Sequence, residues 1–236
     1  MIILAFDTCF GACSASLRLP RSGGLQVVSR FELMQKGHSE RLVPMIQEVL
    51  EEAERTAGCI DVFAVTTGPG SFTGVRTGIA VARALSLATG KPVRGTSSLR
   101  VMALGLRNSY REGAIAIAIP TRDGLIYFQS FDGPQASALI EPCVITPQAA
   151  VAVMRGVAHT VAGKGAGLVA EAAVLAGVPV TIVADPVEAD AVNMLPVALD
   201  LAVLDPPRPL YLREPDAKPQ PGMLVKRTDP TTGVSA

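Results

Sequence analysis

Residues 66–78, TTGPGSFTGVRTG, restrict the local fold more than any other part of the sequence. An apolar run, residues 62–66, precedes this stretch, and a segment rich in small residues follows it as far as Thr89. The pattern predicts a buried strand, a tight turn containing glycine and proline, and then a helix. Backbone N–H groups at the start of such a helix can bind a phosphate. Three interpretations are open: a nucleotide site, a catalytic turn, or a bend that lets two elements pack closely.

The composition limits the class of protein. Of the 236 residues, 49% are hydrophobic and 18% are charged, so the chain can bury one large core or two smaller ones. The net charge is zero, which argues against a free-standing nucleic-acid-binding protein. No apolar run reaches the roughly 18–20 residues of a membrane helix, and the start, MIILAFDTC, predicts a strand and not a signal peptide. We expect a cytoplasmic protein without membrane contact.

Residue types that hold metals or form disulfides are few and scattered. The four cysteines, at positions 9, 13, 59 and 143, form no CxxC pair, which predicts reduced and mostly buried thiols. His38 and His159 are far apart in the sequence and belong to no HxxxH or HExxH motif. The sequence therefore predicts no metal site.

Periodicity in the first hundred residues predicts a sheet and alternating helices and strands. Three consecutive antiparallel strands come first, and a helix then starts at an N-cap Ser39, with Pro44 near its first turn. The predicted strands cover residues 2–8, 13–19, 25–34, 62–66 and 93–96, and the predicted helices cover residues 39–56, 71–89 and 99–106.

The second half repeats this style with less regularity. Its predicted strands cover residues 114–119, 125–131, 159–162 and 180–183, and its predicted helices cover residues 147–155, the segment after the glycine-rich run 163–167, and residues 194–204. Together the two halves predict an α/β protein of two lobes joined near residue 105. We expect an N-terminal lobe (1–105), a smaller C-terminal α/β lobe (106–214) and a flexible proline-rich tail (215–236).

The predicted helix 71–89 has two apolar faces. The first stripe contains Val75, Ile79, Ala82, Leu85 and Ala88, and the second, of small residues, contains Gly74, Thr77, Gly78, Val81 and Ala84. A surface helix needs only one such face. Each glycine in a helix interior costs about 1 kcal/mol relative to alanine, which a closely packed neighbouring backbone would offset. The helix is either internal to this chain or contacts a partner chain, and we favour a partner.

Four motifs extend from the first strand to the end of the second lobe. They are Asp7-Thr8, His38-Ser39 with Leu42 and Pro44, the run Gly68-Pro69-Gly70-Ser71-Phe72-Thr73-Gly74-Val75-Arg76, and the closing Pro209-Leu210-Tyr211-Leu212-Arg213. With these motifs the sequence resembles the TsaB family, also called YeaZ. The resemblance covers nearly all of the chain and is most specific in the first hundred residues. It implies a two-lobed actin-like (ASKHA, ribonuclease H-like) fold.

The same resemblance implies a function. Members of this family are accessory subunits in the synthesis of threonylcarbamoyladenosine, the modification of the tRNA adenosine 3′ of the anticodon. The implied partners are the catalytic paralogue TsaD and the ATPase TsaE, with a homodimer when the chain is alone and only indirect contact with tRNA. No cofactor of its own is implied, and ATP or ADP would lie only at the interface of the complex.

Two departures from the catalytic paralogue argue against catalysis here. TsaD proteins carry a metal-binding His-x-x-x-His where this sequence has Ser98 and Met102, whose hydroxyl and thioether are poor ligands for a harder divalent metal. The paralogue's second-lobe nucleotide motif is also missing, and residues 163–167 lack the ending of a P-loop, so we predict a strand-to-helix turn there. A second-lobe pattern found in many relatives keeps only Arg122 and Tyr127, without its two acids.

The predicted site is therefore a protein interface. We expect helices 39–56 and 71–89 to meet the equivalent pair of the paralogue in a four-helix contact. The predicted interface residues are His38, Leu42, Ile46, Ser71, Phe72, Thr73, Gly74, Arg76, Thr77, Gly78 and Val81, and a vestigial nucleotide site would contain Asp7, Thr8, Gly68 and Gly70. Gly74→Leu or Gly78→Leu should abolish pairing and leave the fold intact. The loop then serves as a bend, with Ser71 or Thr73 capping the helix.

Two other functions are considered. An actin-like ATPase or kinase would use Asp7 and the loop 68–70, and a peptidase activity has no nucleophile–base pair or zinc motif to support it. Arg76 and Arg83 lie seven residues apart on one face of the predicted helix. They could pair with acids of the first helix, such as Glu48 or Glu52, or with a partner.

Overall fold

The structure, a computed structural model, describes residues 1–107, 109–157, 159–185 and 187–213, and the predicted tail 215–236 lies outside these residues. The first lobe contains β1 (Ile3–Asp7), β2 (Ala12–Arg21), β3 (Gly24–Leu33), α1 (His38–Glu52), β4 (Val62–Thr66), α2 (Phe72–Thr89), β5 (Val93–Thr96) and α3 (Ser98–Leu106). The second contains β6 (Ala114–Pro120), β7 (Ile126–Asp132), β8 (Ser137–Ile145), α4 (Pro147–Met154), β9 (His159–Ala162), α5 (Ala166–Ala176) and β10 (Val180–Ile182). A last strand, β11, covers Ala202–Val203.

The two lobes have the same topology. The first sheet has the order β3-β2-β1-β4-β5, extended by β11, and the second has the order β8-β7-β6-β9-β10. In each lobe the first three strands are antiparallel neighbours, and the last two run parallel to the first. Helix α4 is the counterpart of α1, and α5 is the counterpart of α2. This duplicated order confirms the predicted two-lobed actin-like (ASKHA, ribonuclease H-like) α/β fold.

The hydrophobic core continues from one lobe into the other. On one face of the first sheet, Leu4 and Phe6 pack with the buried residues of α1 and α2. On the opposite face, Ile3 and Met102 belong to a cluster that also contains Ile115 of the second lobe. Because this cluster spans both lobes, their separation would expose buried apolar surface.

The last described segment returns to the first lobe. Strand β11 pairs antiparallel with β5, and the short 3-10 turn Ala191–Met194 lies beside β2, where the Ala191 N–H donates to the Ser14 hydroxyl at 2.9 Å. The prediction that residues up to 214 form the second lobe is therefore wrong from Ala191 onward. The helix predicted at 194–204 is also wrong, since turns and β11 occupy it. Most of its apolar residues are buried, although Leu199 and Val203 are exposed, and Pro196 has no N–H for a helix.

The start of α1 also differs from the prediction. Gly37, with a φ of 88°, is the N-cap, and no side chain caps the helix. Ser39 is already helical and its hydroxyl donates to the Glu40 carboxylate at 3.2 Å, while Pro44 lies in the second turn. Strand β8 was not predicted, because Glu141 and Pro142 interrupt its apolar pattern.

None of the helices in the described ranges is long and apolar enough to cross a membrane.

Candidate partner-binding site

Asp7, at the end of β1, has both carboxylate oxygens bound by its own chain. The Thr66 hydroxyl donates to Oδ1, and the Cys9 backbone N–H donates to Oδ2 at 3.2 Å. The residue is 1% exposed, and burial raises its pKa to about 6 although the Thr66 hydrogen bond opposes the shift. In this structure Asp7 therefore acts as a turn-capping carboxylate, the role that aspartate commonly takes after a strand.

The loop 66–71 is held by backbone contacts within the chain. The Ser71 N–H, which a phosphate cradle would present, donates to the Cys9 carbonyl at 2.7 Å. Gly68 has a φ of +111°, and a Cβ at Gly70 would overlap the backbone of Cys9. The Gly68 carbonyl in turn accepts from the Ser98 N–H at 2.9 Å. These contacts favour the interpretation of the loop as a bend between closely packed elements.

The helix that follows is capped as predicted, but its glycines point inward. The Ser71 hydroxyl accepts from the Gly74 N–H at 3.1 Å, which confirms Ser71 as the N-cap. A Cβ at Gly74 would overlap the Thr8 carbonyl oxygen, and one at Gly78 would lie 3.0 Å from the Thr8 hydroxyl. The close neighbour is therefore the chain's own β1 end. This corrects the prediction that Gly74 and Gly78 thin an outer face, and that leucine there would spare the fold.

The predicted interface residues divide into a buried and an accessible set. His38, Leu42 and Ile46 of α1 are buried, with exposures of 8%, 0% and 5%. With Gly74 and Gly78 they are packed inside this chain and cannot contact a partner directly, which corrects those five assignments. Ser71, Phe72, Thr73 and Arg76 are exposed, and Thr77 and Val81 are half-buried.

The outward face of α2 carries a row of small and apolar side chains, of which the sequence analysis assigned only Thr73 and Thr77 to the interface. We call the helix face the exposed or half-buried residues Thr73, Thr77, Ala80, Ala84 and Leu87 of α2 with Val43, Pro44 and Gln47 of α1. Leu87 is 89% exposed and Val43 is 45% exposed. This row lies about 100° around the axis of α2 from Gly74, because consecutive residues of a helix differ by that angle. The signal for it was the spacing of small residues at positions 73, 77, 80 and 84.

A segment from the end of the described chain braces α2. The Arg76 guanidinium lies 3.6 Å from the Phe72 ring centroid and donates through Nε to the Tyr211 hydroxyl at 2.7 Å. Phe72 and Tyr211 are stacked with ring centroids 5.3 Å apart. Arg83 donates to the Pro207 carbonyl at 2.7 Å. Neither arginine pairs with an acid of α1, because Glu48 and Glu52 contact Arg41 and Arg30 instead.

A cleft of about 510 Å³ separates the loop from the second lobe. Its lining includes residues 69–72, residues 120–122, Tyr127 and residues 210–213. At its rim the Arg213 guanidinium lies 2.6 Å from an Asp123 carboxylate oxygen. Of the residues assigned to a vestigial nucleotide site, Gly70 lines this cleft, whereas Asp7 and Thr8 are buried outside its lining. The four residues do not form one accessible pocket.

The positions compared with the paralogue's metal and nucleotide motifs are also structural. Ser98 and Met102 are fully buried, and the Ser98 hydroxyl donates to the Pro69 carbonyl at 2.5 Å. Residues 163–165 form the predicted strand-to-helix turn, in which the Gly165 N–H donates to the Ala118 carbonyl at 2.8 Å, and α5 begins at Ala166. Among the described residues, no three His, Cys, Asp or Glu side chains lie together in an arrangement that could hold a metal ion.

Comparison with known proteins gives consistent results. Residues 30–189 match the family model TsaD, described as tRNA N6-adenosine threonylcarbamoyltransferase. The tRNA threonylcarbamoyladenosine biosynthesis protein TsaB of Escherichia coli is 33% identical over 153 residues, which cover 61% of this chain and 64% of that protein. An uncharacterised protein of Mycobacterium bovis is 34% identical over 218 residues, covering 92% of this chain and 94% of its own.

The solved structures extend the likeness to the fold. YeaZ from Pseudomonas aeruginosa superposes with a TM-score of 0.76 at 27% identity, covering 89% of this chain and 99% of that one. The matched part spans about three fifths of the length of the first TsaB relatives, 64% in E. coli and 60% in Buchnera aphidicola. The family model and these relatives point to the same family as the motifs around residues 7, 38 and 68–76. The chain therefore belongs to the TsaB (YeaZ) family.

Proposed function

We propose that this protein is a non-catalytic subunit required for the threonylcarbamoyl modification of the tRNA adenosine 3′ of the anticodon. It acts by pairing with a catalytic paralogue of the TsaD type. The name of the E. coli relative and the family model both support a role in threonylcarbamoyladenosine synthesis. The finer assignment, to a partner-binding subunit, rests on the helix face.

The helix face is the observation that carries the proposal. Its centre on α2 consists of Thr77, Ala80 and Ala84, which are short side chains in a row along the helix axis. The distance between packed helices depends on the side chains at the contact, so such a row permits a close approach. Helix α1 packs beside α2 and contributes Val43 and Pro44. A paralogue of the same fold presents an equivalent pair, and the two pairs form a four-helix contact.

The buried residues support a non-catalytic role. Asp7 has both oxygens bound by its own chain, and Ser98 and Met102 place a hydroxyl and a thioether where the paralogue has its imidazoles. Any ATP or ADP then belongs to the seam of the complex, where a TsaE-type ATPase also joins. Contact with tRNA is made through the complex, in the cytoplasm. Alone, the helix face closes on a second copy with two-fold symmetry.

The decisive experiment replaces the centre of the helix face. The double variant A80R/A84R places two long charged side chains in the row, and we expect at least a 100-fold rise in the dissociation constant for the paralogue, about 2.7 kcal/mol. The modified adenosine in tRNA should fall in parallel when the variant is the only copy in cells. Leu175→Arg is the matched control, because Leu175 is 87% exposed on α5, the counterpart of α2.

The outcomes separate the alternatives. Full pairing and full modification with A80R/A84R, at an unchanged melting temperature, would show that the interface lies elsewhere. Reconstitution of the modification from purified components should fail when this chain is omitted. ATP turnover by the purified chain alone should be negligible, and a turnover that disappears in Asp7→Asn would favour the ATPase alternative.

A further inference from the structure

The Glu188 carboxylate is a buried charge that joins the two lobes. Its side chain is 6% exposed, and it lies in the segment that leads from β10 back to the first lobe. Oε2 accepts a hydrogen bond from the Gly11 backbone N–H at 3.0 Å, and Oε1 is paired with the Lys164 ammonium. Gly11 belongs to the turn between β1 and β2, and Lys164 to the turn between β9 and α5. One carboxylate is therefore bound by a group from each lobe.

These two donors are of the kind that bind oxyanions. A backbone N–H and a lysine ammonium both make strong hydrogen bonds to charged oxygen atoms, and lysine is a common ligand of phosphate. Gly11 lets them converge, because a Cβ at this position would lie 2.5 Å from Glu188 Oε1 and 3.0 Å from Lys164 Nζ. In this structure the anion that they bind is a side chain of the same protein.

A pocket of about 200 Å³ adjoins the carboxylate. Its lining includes Phe10, Gly11, Ser71, Lys164 and Glu188. Phe10 and Ser71 also line the cleft of about 510 Å³ described above, so the two spaces are neighbours. Since a water molecule occupies about 30 Å³ of the liquid, the smaller pocket has room for a group of the size of phosphate.

Glu188 has an advantage over any free anion because it is attached to the chain. A tethered group acts at an effective concentration of about millimolar or more, so it outcompetes a dilute ligand for the same donors. Its negative charge also repels a second anion at this short range. The Lys164 side chain is 50% exposed, so an anion from solution could reach it once the carboxylate had left.

We propose that the Gly11 N–H and the Lys164 ammonium form an oxyanion subsite between the lobes, which the Glu188 carboxylate closes against phosphate groups. A phosphate group enters when the Glu188 side chain leaves, and it then accepts both hydrogen bonds. The backbone beside Glu188 is fixed on the first lobe, since the Ala191 N–H donates to the Ser14 hydroxyl at 2.9 Å. The movement is therefore local. The closed subsite keeps phosphate groups away from this part of the cleft in the free chain.

The test is a titration of the full chain with inorganic phosphate at constant ionic strength, followed by the amide NMR signal of Gly11. Glu188→Ala removes the carboxylate and should lower the dissociation constant for phosphate at least about 30-fold relative to the wild type. Adding Lys164→Gln to this variant should abolish the gain. Glu171→Ala is the matched control, because it removes an exposed acid of α5 and should bind phosphate no better than the wild type.

A second variant and a second measurement keep the test independent of the stability of Glu188→Ala. Glu188→Gln retains the shape of the side chain and loses its charge, and it should still bind phosphate at least about 5-fold more tightly than the wild type. Amide hydrogen exchange should show a Gly11 N–H that is protected in the wild type, loses protection in Glu188→Ala and regains it with phosphate.

Four results would overturn the proposal. They are unchanged phosphate affinity in both Glu188 variants, a gain that survives Lys164→Gln, an equal gain in Glu171→Ala, and a Gly11 N–H that phosphate does not protect in Glu188→Ala. The third would show an effect of net charge alone. None of these measurements includes the paralogue, so their failure is distinguishable from a failure of the proposed function.

Discussion

The two lobes share one strand order, yet their equivalent parts have different surroundings. At the end of the first strand, lobe one has the buried Asp7 and lobe two has the exposed Pro120. Helix α2 has 18 residues, a serine cap and the bracing Tyr211. Its counterpart α5 has 11 residues and no side-chain cap. The edge strands β3 and β8 also differ, since only β8 contains a proline.

This comparison shows that the duplicated fold determines where elements lie but not what they contact. In the first lobe the turn after β4, the end of β1 and the start of α2 are bound tightly to one another by backbone contacts. The equivalent glycine-rich turn of the second lobe contacts the end of β6, and the helix after it has exposed Val174 and Leu175. The accessible small-residue row belongs to the first lobe, and the proposed partner contact therefore lies there.

Gly74 of α2 and Gly167 of α5 should show the largest difference between the two lobes when each is replaced by alanine. Gly74→Ala should lower the free energy of unfolding by more than about 3 kcal/mol, because the new Cβ would overlap the backbone of Thr8. Gly167→Ala near the start of α5 should be neutral or stabilise by about 0.5–1 kcal/mol, since no atom of the described residues lies within 4 Å of its Cβ position. Urea unfolding measures both. Equal effects of the two changes would contradict the close approach of α2 to β1.

The second prediction concerns the pH dependence of stability. The pKa of Asp7 is raised from 3.8 to about 6 in the folded protein, so the folded state binds its proton more tightly than the unfolded state does. Stability from this group is therefore greatest below pH 4 and falls by about 3 kcal/mol as the pH rises through 6. In Asp7→Asn this fall should be absent.

Urea unfolding between pH 3.5 and 7 measures the difference between the wild type and this variant. The wild type also contains Asp190, whose pKa burial raises, so Asp190→Asn is the control and should retain the part of the fall that belongs to Asp7. No Asp7 counterpart exists at Pro120 of the second lobe. A wild type and Asp7→Asn with parallel pH profiles would show that this carboxylate is not desolvated.

The smallest predicted effect is the difference in stability between variants of two serines: Ser71, the observed N-cap of α2, and Ser39, the residue that the sequence suggested as the N-cap of α1. Ser71→Ala should cost about 1 kcal/mol, because the hydroxyl accepts a hydrogen bond from the Gly74 N–H. Ser39→Ala should change stability by less than about 0.5 kcal/mol, since its hydroxyl caps no backbone group of α1. Thermal unfolding of the two variants measures this difference, and a larger loss for Ser39→Ala would reverse the assignment of the caps.

The sequence predicted the fold better than the site. Strands β4, β5 and β9 were predicted with their observed ends, because short apolar runs bounded by turn residues indicate buried strands directly. The direction of Gly74 could not be predicted, since a stripe of small residues indicates a close neighbour without identifying it. The neighbour is Thr8, which is 66 residues away in the sequence. Strand β8 and the return of β11 to the first sheet likewise depend on contacts that no local pattern contains.

The return of residues 191–213 to the first lobe affects the order in which the protein can be completed. Chains emerge from the ribosome with the N-terminus first, and domains generally fold in that order. Strand β11 joins β5 and Tyr211 joins Phe72 only after the whole second lobe has been synthesised. The lobe that carries the helix face is therefore finished last, although its first strand is made first. A nascent chain would reach the geometry of the helix face only after its second lobe had emerged.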